Sequence, residues 1–421
     1  MALFGTDGIR GRFPEPPMDL NTATELGRAL RNRIGDAPLL LARDTRESGP
    51  ALAKAVARGA GGEVLDLGVL PTPAASALLA EGWGAAAVVI TASHNPWFDN
   101  GLKVLGAGGV KLSDADEAAL AREMATPRQH SPATLHRVPC DGDRAYERLV
   151  IERAPAPWRL KGVKIALDAA NGAAARTAPS ILRALGVELT VIGDAPDGKN
   201  INLGVGAVHP EALAKVVRDT GAAVGIALDG DGDRCQLIDA EGELVDGDAL
   251  LLLLARAPGV VGTVMSNAAL ERALLSRGLG FARAAVGDRY VAEELSRRGW
   301  RVGGEPSGHV LLAEGFPTGD GLLTALFALA DGVNLKERLR GFRPDPQALL
   351  AVPVTRKTPL DAVPELLLIE AEARAAGVSR VLLRYSGTEP KLRVMVEAPE
   401  LTLAQAWAQR LAQSAQAALS S

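Results

Sequence analysis

Four times along this chain a short aliphatic run ends in a polar turn rich in small or acidic residues. Pro38 to Ala42 (PLLLA) leads into Arg43-Asp44-Thr45-Arg46, and Ala87 to Ile90 (AVVI) into Thr91-Ala92-Ser93-His94. Val163 to Leu167 (VKIAL) leads into Asp168-Ala169-Ala170-Asn171-Gly172, and Val224 to Leu228 (VGIAL) into Asp229-Gly230-Asp231-Gly232-Asp233. Runs this short, without clean alternation, predict strands covered on both faces. A helical segment is expected after each turn, so the pattern predicts layered α/β units around parallel or mixed sheets. Glu211 to Thr220 is one such helix: Pro210 stands at its start, Leu213, Val216 and Val217 share a face, and Gly221 ends it. IALDAANG and IALDGDGD are similar enough to suggest duplicated units.

The 421 residues are enough for about two to four domains. Connections are expected at Ala125 to Asp143, Ala154 to Trp158 and Gly341 to Pro346, with a further break near Asp246 to Asp248 on spacing alone. With 46 basic and 50 acidic residues the net charge is -4, which gives no electrostatic ground for a nucleic-acid partner. The start MALFGTDGIRG lacks the cationic and apolar regions of a secretory signal. The longest apolar run, Ala249 to Ala255, stops at Arg256 and is too short to span a bilayer. A cytoplasmic protein with no membrane partner is therefore expected. Its two cysteines, Cys140 and Cys235, read as reduced thiols.

Several loops carry reactive groups. Ser93 lies in TASHNP directly after a strand, where ligands gather in open α/β sheets. Taken alone, TASHNP fits an ordinary Ser/Asn/Pro turn better than a reactive loop. No GxSxG elbow surrounds the serine, so acyl transfer is not supported. Asp229, Asp231 and Asp233 alternate with glycines, and an extended loop would point all three carboxylates the same way. Like charges that close require a cation or raised pKa values, and an all-oxygen set favours a hard ion such as Mg2+. A calcium loop fails, because its sixth position is Arg234 and its twelfth is Ala240. Arg384 to Arg393 (RYSGTEPKLR) reads as a phosphate cradle or as a polar hairpin with surface arginines. In Glu305-Pro306-Ser307-Gly308-His309, Glu305 and Ser307 could pair sugar hydroxyls and His309 could assist proton transfer. GDAPDGKN (Gly193 to Asn200) misses a Walker A loop at Asn200, Gly204-Val205-Gly206 lacks the third glycine of a dinucleotide fingerprint, and no zinc spacing exists.

Taken in order, FGTDGIRG (Phe4 to Gly11), TASHNP, DGDGDR (Asp229 to Arg234), VGDRYV (Val286 to Val291), GEPSGH (Gly304 to His309) and RYSGTEPKLRV resemble the α-D-phosphohexomutase superfamily. The likeness covers nearly the whole chain and is greatest to the bacterial members that act on glucosamine phosphates. It implies a heart-shaped, four-domain α/β architecture: three mixed-sheet α/β domains and a smaller C-terminal α+β domain. The expected divisions are 1–138, 139–247, 248–345 and 346–421. They carry in turn the phosphoserine loop, the metal loop, the sugar loop and the phosphate loop. By residue-wise match Ser93 resembles the phosphoserine, and Asp229, Asp231 and Asp233 the ligands of one Mg2+, completed by a phosphoryl oxygen on Ser93. Arg10 and Arg234 resemble phosphate-neutralising groups, Lys103 the general base and His309 its acid/base partner. His94, Glu305, Ser307, Arg384, Ser386, Gly387, Thr388 and Arg393 resemble substrate ligands. The implied reaction interconverts glucosamine 6-phosphate and glucosamine 1-phosphate through a bisphosphorylated sugar. Phosphomannomutase or phosphoglucomutase activity, a phosphosugar phosphatase and a non-catalytic phosphosugar-binding protein are the alternatives. A homodimer is left open. Pro306 stands where the glucosamine members usually have Gln, and Ala285 where a lysine is frequent.

Overall fold

The computed structural model describes residues 3–5, 7–126, 136–386 and 390–419, with the backbone alone at 136–139. The first sheet holds β1 (Ile9–Arg12), β2 (Leu39–Arg43), β3 (Glu63–Val69), β4 (Ala86–Ile90), β5 (Asp99–Leu105) and β6 (His136–Pro139), in the order β1-β5-β4-β2-β3-β6. The second holds β7 (Lys164–Asp168), β8 (Glu188–Ile192), β9 (Val224–Leu228), β10 (Cys235–Ile238) and β11 (Leu244–Val245), ordered β11-β10-β9-β7-β8. The third holds β12 (Gly259–Thr263), β13 (Gly280–Ala284), β14 (Val302–Gly304) and β15 (Val310–Leu312), ordered β13-β12-β14-β15. The last, β16 (Gln347–Pro353), β17 (Arg380–Tyr385) and β18 (Lys391–Glu397), is wholly antiparallel in the order β16-β18-β17. Three mixed-sheet α/β units and a smaller α+β unit are thus present.

The aliphatic runs form strands as expected, and β4 and β9 are buried along their whole length. The helix Pro210–Thr220 buries Leu213, Ala214 and Val217, and Gly221 ends it in the left-handed conformation (φ 65°) that glycine tolerates best. The expectation of a helix after every run holds only for two of the four turns. Helices follow β2 and β7 (Gly49–Ala60 and Thr177–Ala184), but β4 and β9 turn straight back into the antiparallel strands β5 and β10. The start of β5 (Asp99-Asn100-Gly101) is poor strand material, and burial carries it: Asn100 is fully enclosed and donates to Ser48 Oγ at 2.8 Å. The stretch Ala125 to Asp143 is not all connection either, since β6 pairs parallel with β3 and a helix begins at Gly142.

One apolar core runs without a break through the first three units, from Leu40 through Ile226 to Leu335, and includes the wholly buried helix Gly247–Leu254. The last unit has its own core, between its sheet and the helices Pro364–Ala375 and Leu401–Leu419. Among the described residues no helix is long and apolar enough to cross a membrane. Cys140 and Cys235 are both free thiols.

Candidate active site

The chemistry-bearing loops occupy the same place in each unit: the turn between a strand and the antiparallel strand that follows it. Ser93 lies between β4 and β5, the aspartates between β9 and β10, Glu305 to His309 between β14 and β15, and the Ser386 turn between β17 and β18. Such turns leave the strand ends open on one side, and packing of the first three units brings their loops together.

Ser93 is completely buried, with a left-handed backbone (φ 51°) that few non-glycine residues adopt. Its N–H donates to Thr91 Oγ1 at 2.9 Å, and its hydroxyl donates to Asp229 Oδ2 at 2.6 Å. The neighbouring His94 Nδ1 is 3.4 Å from the same hydroxyl. Burial, then Arg234 and Arg10, pushes the His94 pKa down to about 4, so the ring is neutral at physiological pH.

The aspartate loop is a tight turn and not the extended segment expected. Gly232, at φ 72°, returns its N–H to the Asp229 carbonyl at 3.1 Å. The turn still gathers the carboxylates: one oxygen from each of Asp229, Asp231 and Asp233 lies within 4.8 Å of the others, and all three residues are buried. Burial first, then Asp233 and Asp231, pushes the Asp229 pKa up to about 8. Asp231 Oδ2 accepts from Thr72 Oγ1 and Lys103 Nζ, both at 2.6 Å, and Asp233 Oδ2 accepts from Lys103 at 3.0 Å. Oδ1 of Asp231 and Oδ1 of Asp233 are buried with no hydrogen-bond partner. Two orphaned carboxylate oxygens beside a third carboxylate form a donor set suited to a hard divalent cation, so the residues present fit one.

A second ring of charge surrounds this turn. Burial disfavours the Lys103 ammonium, yet Asp231 and Asp233 outweigh it and hold the proton on more tightly than usual. Lys111 Nζ donates to Asp7 Oδ1 at 2.7 Å and to Asp288 Oδ1 at 2.8 Å, joining the first unit to the third. Arg10 pairs with Asp7 at 3.0 Å. His309 lies between Asp288 Oδ2 (3.3 Å from Nε2) and Asp233 Oδ1 (3.6 Å from Nδ1). Burial opposes its charge, but these two carboxylates prevail and push its pKa up to about 10. A backbone bridge between Arg234 and His309 ties the aspartate turn to the Glu305–His309 loop. Gly308 permits this approach, because a Cβ there would meet the Cys235 carbonyl oxygen at 1.8 Å.

The predicted substrate ligands are spread more widely. Glu305 Oε1 accepts from the Gly287 N–H at 2.9 Å, and the Ser307 hydroxyl is buried without a partner. Arg384 and Arg393 face each other across β17 and β18 and line a cleft of about 230 Å³ with Met265, Leu349 and Leu382. Two like charges in register repel unless an anion lies between them. Burial, then Arg393, lowers the Arg384 pKa. The Ser386 N–H closes the turn on the Lys391 carbonyl at 2.8 Å, while Gly387 and Thr388 lie outside the described residues.

Comparison with known proteins gives this geometry a context. The four phosphoglucomutase/phosphomannomutase domains match in order: alpha/beta/alpha domain I at residues 1–131, II at 150–242, III at 246–339 and the C-terminal domain at 349–414. The chain belongs to the phosphoglucomutase/phosphomannomutase family. Phosphoglucosamine mutase of Thermus thermophilus is 45% identical over 97% of this chain and 95% of its own. That of Chromohalobacter salexigens is 44% identical over 94% of both. A solved phosphoglucomutase/phosphomannomutase family protein from Burkholderia thailandensis superposes with a TM-score of 0.81 at 26% identity, covering 99% of this chain and 97% of that one.

In this family member Ser93, the three aspartates, Lys103, His309, Arg10 and Arg234 form one cluster, while Arg384, Ser386 and Arg393 belong to the separate C-terminal sheet. Asp7, Lys111 and Asp288 went unnamed in the sequence reading, although all three bridge the cluster. FGTDGIRG and VGDRYV held Asp7 and Asp288 in plain view. Lys111 has no local signal, since its partners lie 104 and 177 residues away in sequence.

Proposed function

We propose that this chain is a phosphosugar mutase that interconverts glucosamine 6-phosphate and glucosamine 1-phosphate, with Ser93 as the carrier of the phosphoryl group. The observation that carries the reading is the 2.6 Å hydrogen bond from the Ser93 hydroxyl to Asp229, made between two different units inside a buried triad with two orphaned oxygens. The full-length likeness to phosphoglucosamine mutases at about 45% identity supports the sugar. The two free thiols suit a reducing, cytoplasmic setting.

In the forward half-reaction the Oγ–P bond of phosphorylated Ser93 breaks and a bond forms between phosphorus and a sugar hydroxyl oxygen, giving a bisphosphorylated sugar. The hydroxyl proton leaves to a base; Lys103 is assigned as that base with His309 as its acid/base partner. Because the surrounding carboxylates keep both groups protonated, Lys103 must first give up its own proton to act. Return of the other phosphoryl group to Ser93 reverses these steps on the turned sugar. Asp229, Asp231 and Asp233, with a phosphoryl oxygen, would hold one Mg2+, which would supply charge neutralisation at the transferring group. Arg10 and Arg234 add cationic charge beside it. Arg384 and Arg393, with Ser386, Gly387 and Thr388, hold the non-reacting phosphate, while Glu305 and Ser307 meet sugar hydroxyls and His94 lines the approach to Ser93. Pro306 offers neither a backbone N–H nor a side-chain amide, so discrimination between glucosamine and glucose is expected to be modest.

The test compares kcat/KM for glucosamine, glucose and mannose phosphates. Glucosamine phosphate is expected to lead. A lead of about tenfold or more for another sugar, some 1.4 kcal/mol of transition-state preference, overturns the substrate and leaves the mutase chemistry standing.

A further inference from the structure

The backbone around Ser93 is held from two sides, and neither holder belongs to the chemistry described so far. Arg46 Nη2 donates to the carbonyl oxygens of Ser93 (3.3 Å) and Asn95 (2.6 Å). Asn202 Nδ2, from the second unit, donates to the same two oxygens at 2.9 and 3.3 Å. Both side chains are almost wholly buried, with 1% exposure at Arg46 and 5% at Asn202. Arg46 also forms an ion pair with the buried Asp44.

Asn202 is the more telling of the two. Two carbonyl oxygens demand N–H donors, so the amide must turn its nitrogen toward Ser93. Its Oδ1 is then left buried with no partner. An orphaned buried acceptor is destabilising, and an apolar residue of the same size would avoid the cost. The residue also holds a left-handed backbone (φ 58°), fixed by its N–H to the Ala170 carbonyl at 2.9 Å. The first residue after Asp229 completes the seat. A Cβ on Gly230 would come within 2.5 Å of the Ser93 carbonyl oxygen and 2.8 Å of Asn202 Nδ2. The serine loop, the metal turn and Asn202 therefore meet at backbone-contact distance, and the left-handed Ser93 sits at their junction.

We propose that Asn202, working with Arg46, is a positioning residue for phosphoryl transfer: it clamps the Ser93 loop across the boundary between the first two units and so aims the Ser93 hydroxyl at Asp229. This rests on the reading of Ser93 as phosphoryl carrier. The clamp grips the backbone and leaves the side chain free to change its covalent state. A displacement of about 1 Å at the reacting oxygen lowers turnover by some 100-fold, whereas the distant Arg384 and Arg393 still bind the sugar phosphate.

Asn202→Asp tests this in the full-length protein. It preserves shape and tolerance of the left-handed backbone, but turns a carboxylate toward two carbonyl oxygens. The expected result is a fall in kcat of about 10–100-fold with KM for glucosamine 6-phosphate held within about twofold. A crystal structure of the variant should show Ser93 Oγ withdrawn from Asp229. Asn202→Gly, which keeps the backbone and deletes the amide, should behave alike. Unchanged kcat in either folded variant, a rise in KM in place of the fall in kcat, or an undisturbed Ser93–Asp229 contact would overturn the proposal. Loss of folded protein in both variants would make the residue merely structural and overturn it as well. Wild-type protein assayed in parallel separates the two readings. If it carries no phosphate on Ser93 and turns over no hexose phosphate, the carrier reading fails, and the variant's crystal structure still decides the clamp.

Discussion

Asp168 and Asp229 stand at the same ends of two neighbouring parallel strands, each after the tripeptide Ile-Ala-Leu, and their fates are opposite. Asp168 Oδ1 accepts from the Ala170 N–H at 2.9 Å and Oδ2 from the Gly206 N–H at 2.6 Å, so a lone buried carboxylate is fully occupied by backbone donors. Burial raises its pKa, the two N–H groups pull it back, and it comes to about 6. Asp229 meets two further carboxylates and the Ser93 hydroxyl, and its pKa is pushed to about 8. The aliphatic run does no more than deliver a carboxylate to a strand end. After Asp168 two backbone amides come back to it; after Asp229 one does, the Arg234 N–H to Oδ1 at 3.2 Å, and the turn adds two further carboxylates whose Oδ1 atoms stay unpartnered. A site suited to a cation arises where carboxylate oxygens outnumber the donors.

Asp231→Asn should break the comparison on the reactive side most severely. The substitution can keep the oxygen that accepts from Thr72 and Lys103 and replace the orphaned one. Mg2+-dependent turnover is expected to fall on the order of 1000-fold, about 4 kcal/mol, with the melting temperature preserved. Full activity in the variant would remove the triad from the mechanism.

Asp168→Ala should break it on the structural side. Two buried N–H groups lose their acceptor, which costs about 2–4 kcal/mol of unfolding free energy, while kcat of the remaining folded enzyme is unchanged. The sign of the pH dependence follows from the raised pKa. A carboxyl whose folded pKa exceeds its unfolded value contributes stability that is complete below about pH 4 and lost as pH rises through about 6. Urea midpoints should therefore show the gap between wild type and variant narrowing by about 1–2 kcal/mol from pH 5 to pH 7.5. A widening gap would contradict the assignment.

The smallest expected effect is the most direct comparison. A cation at ten times its dissociation constant should stabilise the wild type by about 1.4 kcal/mol and Asp168→Ala by the same amount, and chelator should reverse both. Asp231→Asn should gain nothing. A thermal shift equal in all three proteins would point to binding away from the triad.

The difference between the two aspartates was legible in part. Aliphatic runs and glycines marked both strand ends, and DGDGD announced its charge. The three units, the C-terminal hairpin and the convergence of Ser93 with the aspartate loop were expected on pattern and resemblance. The return strands β5 and β10 were not, because Asp99-Asn100-Gly101 and the four-residue CQLI carry little strand signal and form through burial against β4 and β9. The roles of Lys111, Arg46 and Asn202 are not legible in the sequence for a related reason. Each acts on residues from 47 to 177 positions away, and no local period encodes that distance.

The division of the apolar interior has a consequence for how the molecule could be recombined. The first three units share one continuous core and cannot be exchanged singly without repacking it. The last unit brings its own core and is tied to the third by polar contacts such as Arg380 to the Ser266 carbonyl at 2.8 Å and Glu397 accepting from the Ala268 N–H at 2.8 Å. That unit is a graftable module. A relative's C-terminal domain that preserves Glu397 and Arg380 would bring a different arginine-lined cleft to an unaltered three-unit block, so the cleft can diversify while the buried cluster around Ser93 stays fixed.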